Sequence, residues 1–90
     1  MFTVGWVRSA LDDLADIWTQ ADAGDRAAIS AAANRIDRLF STNPSGQGES
    51  RSKARRLLVE LPLVVVFEIV EQDRFVRVLQ VRRPKKRRGP

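Results

Sequence analysis

Basic side chains form two clusters in this sequence, and such clusters can bind phosphate groups. The first cluster holds four cations within six residues: Arg51, Lys53, Arg55 and Arg56. The second holds six near the end of the chain: Arg82, Arg83, Lys85, Lys86, Arg87 and Arg88. Such clusters attract phosphate backbones or acidic proteins without reading base sequence. We predict that both clusters bind nucleic acid or an acidic target; the alternative is a solvated loop and a solvated tail.

Acid–base catalysis has few candidate groups here. Cleavage of RNA through its 2′-hydroxyl needs a base, an acid and cations beside the phosphate. Histidine and tyrosine are absent. Glu49 and Glu60 could act as a base, although Glu49 beside Arg51 is more typical of a surface ion pair. Glu68 lies within an apolar run; we expect an ion pair with Arg77 across a hairpin, and the alternative is a buried acid with a raised pKa.

Composition limits the class of protein. Ninety residues are enough for one domain with a modest core. Outside 82–88, ten basic residues face eleven acidic ones, so the body carries a charge near −1 and the tail makes the chain basic. No cysteine is present, which excludes disulfides and fits a cytoplasmic protein. The apolar run at 57–70 is too short to cross a bilayer, and no signal peptide is recognised.

The apolar patterns predict the elements that must hold these clusters. A strand is expected at 2–7 and a helix at 10–21, capped by Ser9. A second helix follows, capped by Asp25, with an apolar stripe of Ile29, Ala32, Ala33, Ile36, Leu39 and Phe40. A loop is expected at 41–50, and strands near 54–61, 63–70 and 74–82. The prediction is an α+β fold, β-α-α-β-β-β, with a helical hairpin on one face of a mostly antiparallel sheet.

Several residues have specific expected positions. The strand LVVVFEIV at 63–70 is apolar on both faces except at Glu68, so it is expected at the centre of the sheet. One helical hairpin covers one face only; the loop at 41–56, the tail or a partner chain would cover the other. Gly5 indicates an edge strand or a close backbone approach. Trp6 and Trp18 are expected to fill the core between the first strand and the first helix.

The sequence resembles the RelE/ParE superfamily of toxins from type II toxin–antitoxin systems, also called plasmid-stabilisation proteins. The resemblance covers nearly the whole chain to about Val81. It rests on the element order, on the start of the first helix (SALDDLADIW), on the phrase LFSTNP with a following GES, and on the strand pair LVVVFEIVEQDRFVRVLQV. It implies a bacterial cytoplasmic toxin domain at 1–82, a basic tail at 83–90 and a cognate antitoxin as partner.

The resemblance also implies two kinds of target. RelE-like members cleave messenger RNA on the ribosome, and ParE-like members act on DNA gyrase. The nuclease members commonly carry basic residues around the loop into the second strand, an arginine on the third strand and a histidine or tyrosine near the C-terminus. Here 63–66 is apolar and the tail has neither residue. The catalytic residues therefore stay unassigned, with Lys53, Arg55 and Arg56 as the candidates.

The sequence thus predicts a toxin that acts on gyrase or on the ribosome and its message. Whether it is an enzyme stays open; an enzymatic member would be a metal-independent endoribonuclease. The alternative is a non-toxic binding module that keeps the fold and docks on nucleic acid through its basic residues. No metal or nucleotide cofactor is predicted, because no glycine-rich phosphate loop or carboxylate cluster is present, and no membrane association is predicted.

Overall fold

The computed structural model describes residues 1–50 and 54–84, which form two helices and a five-stranded sheet. The strands are β1 (Thr3–Trp6), β2 (Glu49–Ser50), β3 (Arg55–Glu60), β4 (Leu63–Val70) and β5 (Phe75–Arg82), and the helices are α1 (Arg8–Gln20) and α2 (Ala23–Thr42). The spatial order is β1-β5-β4-β3-β2. Strand β1 runs parallel to β5 and the other neighbours are antiparallel. The predicted α+β fold is confirmed, with one additional short strand.

The core lies between the helices and one face of the sheet, which we call the inner face. Side chains alternate along a strand, so Leu63, Val65 and Phe67 of β4 all point to this face, and all three are fully buried. Helix α2 contributes the stripe Ile29, Ala32, Ile36 and Phe40 at helical spacing. The rings of Phe40 and Phe67 lie with their centroids 4.1 Å apart, which joins the end of α2 to the central strand.

The outer face of the sheet is built from the intervening residues. The pairing register of β3, β4 and β5 places eleven side chains on it: Arg55, Leu57, Val59, Val64, Val66, Glu68, Val70, Phe75, Arg77, Gln80 and Arg82. The valines of β4 here are only half-buried, and Val59 is 55 % exposed. The strand order places β4 third of the five strands, so the prediction that β4 is central is confirmed. Its two faces differ, because only the inner face is fully buried among the described residues.

Both predicted helix caps are wrong. Helix α1 begins at Arg8, directly after Val7, whose N–H donates to the Val78 carbonyl at 3.0 Å. The strand pairing continues to this residue, so the chain turns into helix before Ser9 could act as a cap. Helix α2 begins at Ala23, and its cap is Asp22, whose carboxylate accepts a hydrogen bond from the Asp25 N–H at 2.8 Å. The connection between the helices is therefore two residues long.

The region predicted as a loop at 41–50 carries more structure than expected. Helix α2 continues to Thr42, a 3-10 turn covers Pro44–Gly46, and β2 pairs with β3. Gly48 allows this pairing, because its φ is +69° and a Cβ there would lie 2.5 Å from the Leu57 carbonyl oxygen. The loop prediction missed β2 because two residues are too few to show an alternating pattern.

Other local expectations hold. β1 is an edge strand, and a Cβ on Gly5 would lie 2.5 Å from the Phe75 ring, so both features that Gly5 indicated are present. Residues 71–74 form the expected tight turn between β4 and β5. A proline between two strands is expected at a strand start or a bulge; Pro62 lies instead in the turn just before β4, where its missing N–H costs no ladder hydrogen bond.

Candidate functional site

The two predicted basic clusters are described in part. Arg55 and Arg56 open β3, Arg82 closes β5, and Arg83 follows it directly. The remaining predicted binding residues lie outside the described residues: Arg51, Lys53, Lys85, Lys86, Arg87 and Arg88. Neighbouring side chains along a strand point to opposite faces, so Arg55 and Arg56 do not act together.

Arg56 organises the preceding loop from within the protein. Its guanidinium donates to the Gln47 carbonyl from two nitrogens, at 3.1 and 2.9 Å, and to the Ser45 carbonyl at 3.3 Å. A further nitrogen lies 3.1 Å from the Ser50 hydroxyl. These donors satisfy backbone carbonyls of the turn, so the contacts assign Arg56 a structural role. This structural role could not be predicted from the sequence, because most of the hydrogen-bond partners are backbone atoms.

A row of three charged side chains crosses the outer face. In the pairing register Glu68 stands between Arg55 on β3 and Arg77 on β5. Arg77 Nη1 donates to Glu68 Oε2, and its guanidinium lies 5.8 Å from the centre of the Phe75 ring. The predicted Glu68–Arg77 pair is confirmed, and the alternative of an unpaired buried acid is wrong. Arg55 is exposed and has no ion-pair partner within the described part of the chain.

The other two carboxylates considered as bases lie elsewhere. Glu60 accepts a hydrogen bond from Arg35 Nε at 2.8 Å, and the same guanidinium reaches the Leu61 carbonyl at 3.3 Å. This contact ties the turn between β3 and β4 to α2. Glu49 is exposed on β2, opposite Leu57 in the register. Neither carboxylate belongs to the charged row.

Two aspartates of the helical hairpin hold the end of β5. Asp13 on α1 accepts a hydrogen bond from the Val81 N–H at 3.1 Å. Asp25 on α2 pairs with Arg83 Nη2 at 2.7 Å. The tail therefore starts beside the turn that joins the helices, and Arg83 is bound to the hairpin. Sequence analysis missed both aspartates, because they act on residues more than fifty positions away.

An apolar groove, which we call the hairpin groove, runs between α1 and α2 on their solvent side. Its cavity volume is about 400 Å³, and it is lined by Leu11, Leu14, Ala15, Trp18, Thr19, Ile29, Ser30, Ala33 and Asn34. Leu11 is 48 % and Trp18 43 % exposed. Large apolar side chains that line an open groove are typical of a docking surface for a protein segment.

Trp18 was predicted to fill the core, and that prediction is wrong. The core side of α1 carries Ala10, Leu14 and Ile17, and Trp18 stands about 100° further round the helix. The Arg26 guanidinium covers its ring at 4.4 Å and donates to the Trp18 carbonyl at 2.9 Å. Trp6 does pack against the core, and its indole N–H donates to Asp37 at 2.8 Å.

Two further properties concern chemistry and location. Within residues 1–50 and 54–84, no group of three or more carboxylates is placed to hold a metal ion. Neither helix of the described chain is long and apolar enough to cross a bilayer.

Comparison with known proteins identifies the fold. No protein-family model matches the chain, and no curated protein is significantly similar in sequence. Solved structures match over almost the full length. A chain of the chromosomal ParDE toxin–antitoxin system from P. aeruginosa superposes with a TM-score of 0.74 at 19 % identity, covering 94 % of this chain and 98 % of the other.

Two further structures agree. The RelBE2 toxin–antitoxin complex from Mycobacterium tuberculosis gives a TM-score of 0.73 at 16 % identity, covering 92 % of this chain and 91 % of the other. The isolated RelE toxin from E. coli gives 0.64 at 9 % identity, covering 97 % and 88 %. At these identities the likeness concerns the fold, and the chain has the RelE/ParE fold that the sequence predicted.

Proposed function

We propose that this chain is the toxin component of a type II toxin–antitoxin pair. The observation that carries the proposal is the match to chains of toxin–antitoxin systems over nine-tenths or more of both chains. The proposal includes that the toxin acts in the cytoplasm.

The proposed partner is an antitoxin that supplies an amphipathic segment. Two surfaces are candidate binding sites for such a segment: the hairpin groove and the outer face. The groove is the better supported of the two, because it is lined mostly by apolar side chains, with Leu11 and Trp18 almost half exposed, whereas a charged row crosses the outer face. Burial of apolar surface stabilises a complex by about 25 cal/mol per Å² before the costs of association. Co-expression with the antitoxin should therefore raise the yield and the stability of the chain.

Among targets, the contacts favour a mode of action other than RNA cleavage. A catalytic site for RNA needs cations that are free to meet the phosphate. In the charged row Arg77 is already paired with Glu68, and Arg56 is used by the loop. Of the catalytic candidates among the described residues, Arg55 alone is exposed and without an ion-pair partner. A carboxylate in the middle of the row also repels phosphate. These contacts support gyrase, or another target bound without cleavage, over message cleavage on the ribosome.

The alternative function is a non-toxic module that docks on nucleic acid. One observation favours it: Arg55 and Arg82 are exposed cations, without ion-pair partners among the described residues, at opposite ends of the outer face. Cations spaced along a sheet can follow a phosphate backbone, and the resulting binding would weaken steeply with salt. The same cations serve a toxin that reads its target through the outer face.

The test is induction of the chain alone in bacteria, with growth, message integrity and DNA supercoiling measured together. We expect growth arrest with intact messages and altered supercoiling. Arrest with cut messages would instead support the nuclease mode, and full-length messages without arrest would support the binding module. Co-expression with the product of the adjacent small gene should relieve the arrest.

Three substitutions locate the target surface. Arg55→Gln and Arg82→Gln remove exposed cations from the outer face, whereas Arg38→Gln removes an exposed cation from α2. All three substitutions spare the core, so the variants should fold equally well. We expect the first two together to weaken the arrest and Arg38→Gln to leave it unchanged. Equal effects of all three would argue against the outer face as the target surface.

A further inference from the structure

We propose that the open edge of β1 pairs with the same edge of a second copy of this chain, so that two five-stranded sheets join into one. The proposal goes beyond the proposed function, since it concerns the assembly of the chain with itself. It follows from three observations: backbone groups that face outward along β1, the lack of edge-protecting residues at 2–6, and a groove of balanced charge beside the strand.

The edge of β1 presents backbone groups to another strand. Within residues 1–50 and 54–84, β5 is the one strand that pairs with β1. The N–H groups of Thr3 and Val7 donate towards β5 at 2.9 and 3.0 Å. Successive residues of a strand direct their N–H and C=O groups to alternate sides, so those of Val4 and Trp6 face away from β5. Two donors and two acceptors therefore lie along the open side of β1.

This edge lacks the features that keep exposed edges apart. Such edges usually carry a charged side chain, a proline or a bulge, or are very short. Residues 2–6, FTVGW, contain no charge and no proline, and β1 pairs with β5 without a register shift. The opposite edge of the sheet is different, because β2 has two residues and one of them is Glu49. The contrast indicates that β1 is the edge that another strand covers.

A two-fold axis at Gly5 matches these groups to themselves. With Gly5 opposite Gly5 of the second copy in an antiparallel pair, Val4 of each chain stands opposite Trp6 of the other. Residues paired in this way exchange both of their N–H···O=C hydrogen bonds, so all the outward groups of Val4 and Trp6 are satisfied. The axis is perpendicular to the sheet. The two outer faces therefore lie on the same side of the dimer and form one surface.

The side chains on both faces of β1 fit this pairing. On the outer face the Phe75 ring covers Gly5, where a Cβ would lie 2.5 Å from the ring, so the two half-buried Phe75 rings approach each other across the axis. On the inner face Val4 and Trp6 are half-buried, and the Trp6 indole is already held by Asp37 at 2.8 Å. Pairing removes further apolar surface from water on both faces, which stabilises the dimer.

Charge beside the edge favours a second copy over a charged segment. A groove of about 350 Å³ runs between β1 and α2, lined by Phe2, Val4, Trp6, Asp37, Arg38 and Ser41. Asp37 and Arg38 are both exposed there. One acid and one base present opposite charges to their own two-fold image, whereas they attract neither an acidic nor a basic strand. The occupant that matches this edge in charge and in hydrogen bonds is therefore the same chain.

The first experiment is sedimentation equilibrium of the purified full chain and of two proline variants. Val4→Pro removes an outward N–H and no ladder hydrogen bond of the single chain. Val59→Pro is the matched control at the other side of the sheet. The Leu57 carbonyl faces β2, since a Cβ on Gly48 would lie 2.5 Å from it, so the N–H of Val59 also points away from β4. Circular dichroism verifies that each variant is folded.

We expect the unaltered chain and Val59→Pro to dimerise with the same Kd. Val4→Pro should raise the Kd about tenfold or more, because each dimer loses two hydrogen bonds at its centre.

Distances between spin labels then locate the contact. The chain has no cysteine, so Thr3→Cys and Val59→Cys, both at exposed positions, each accept one nitroxide label per chain. In the proposed dimer the two Cα atoms of residue 3 are four residues apart along the strands and one strand spacing across them, or about 14 Å. Those of residue 59 are seven strand spacings apart, or about 34 Å. We expect dipolar electron paramagnetic resonance to give a much shorter distance at 3 than at 59.

Three results would overturn the proposal. A chain that stays monomeric up to about 1 mM would leave the edge to a strand of another protein. A dimer that Val4→Pro and Val59→Pro weaken equally would not depend on β1. A shorter distance at 59 than at 3 would place the contact on another surface, and this readout holds even where Val4→Pro fails to fold. The growth assay is independent, since a chain that dimerises without arresting growth keeps the edge contact and loses the toxin function.

Discussion

The inner and outer faces of the sheet use the same strand in opposite ways. On β4, Val65 and Phe67 point to the helices and are fully buried, whereas their neighbours Val64 and Val66 point outward and are half-buried. The difference teaches that an apolar strand does not need two covered faces to sit at the centre of a sheet. One packed face stabilises the fold, and the other leaves apolar surface and a charged row for contact with another molecule.

Phe67→Ala should have the largest effect on this comparison. The ring is fully buried on the inner face and packs on Phe40 with a centroid distance of 4.1 Å. Its loss leaves a cavity, and we expect the free energy of unfolding to fall by about 3–5 kcal/mol. Urea denaturation followed by circular dichroism measures it. A loss below about 1 kcal/mol would mean that the inner face is not the main core.

Val65→Ala against Val66→Ala compares the two faces with one chemical change. Each substitution removes two methyl groups, from a buried position at 65 and from a half-buried position at 66. We expect a destabilisation of about 2 kcal/mol at 65 and less than about 1 kcal/mol at 66, because only the inner site loses full burial and gains a cavity. The same denaturation experiment checks it. Equal losses would indicate that the outer valines are also covered.

Arg56→Gln against Arg55→Gln compares two adjacent cations. Arg56 satisfies loop carbonyls, whereas Arg55 is exposed. We expect the first substitution to lower the free energy of unfolding by about 1–2 kcal/mol and the second to change it by less than about 0.5 kcal/mol. Thermal unfolding of both variants provides the measurement. A reversed order would contradict the structural role of Arg56.

Glu68→Gln should lower the stability only slightly and should strengthen the binding of phosphate groups to the outer face. The pair with Arg77 is partly exposed, so its loss should cost less than about 1 kcal/mol. The freed arginine should add about one phosphate contact, which steepens the salt dependence of oligonucleotide binding accordingly. Glu60→Gln, which frees Arg35 on α2, is the control and should leave the salt dependence unchanged. An unchanged salt dependence for Glu68→Gln would show that the charged row is not part of the binding surface.

The sequence predicted the long elements well, because their patterns are strong. Strand β4 has the predicted bounds, and the tight turn at 71–74 lies where polar residues interrupt two apolar runs. The caps failed for a local reason: the pairing of Val7 with Val78 continues to the first turn of α1, and one sequence does not show that contact. The parallel pairing of β1 with β5 was not specified either, since strand order depends on tertiary packing.

The site was predicted less well than the fold. A run of basic residues shows charge but not direction, so Arg55 and Arg56 could not be separated before the strand faces were known. Asp13 and Asp25 act on residues more than fifty positions away, and Arg26 acts on backbone carbonyls of α1; no short sequence pattern reveals such contacts. Trp18 is exposed because it lies about 100° around the helix from Ile17. An apolar stripe in the sequence does not define the side of a helix that faces the core more precisely than this angle.

The pairing of β1 with β5 also has a consequence for the order of folding. Thr3 pairs with Phe75 and Trp6 with Val78, so the first strand pairs with residues about seventy positions later in the chain. Contacts so distant in sequence make folding slow. The edge of the sheet at β1 can therefore form only after β5 has taken its place, and the outer face is completed late in folding.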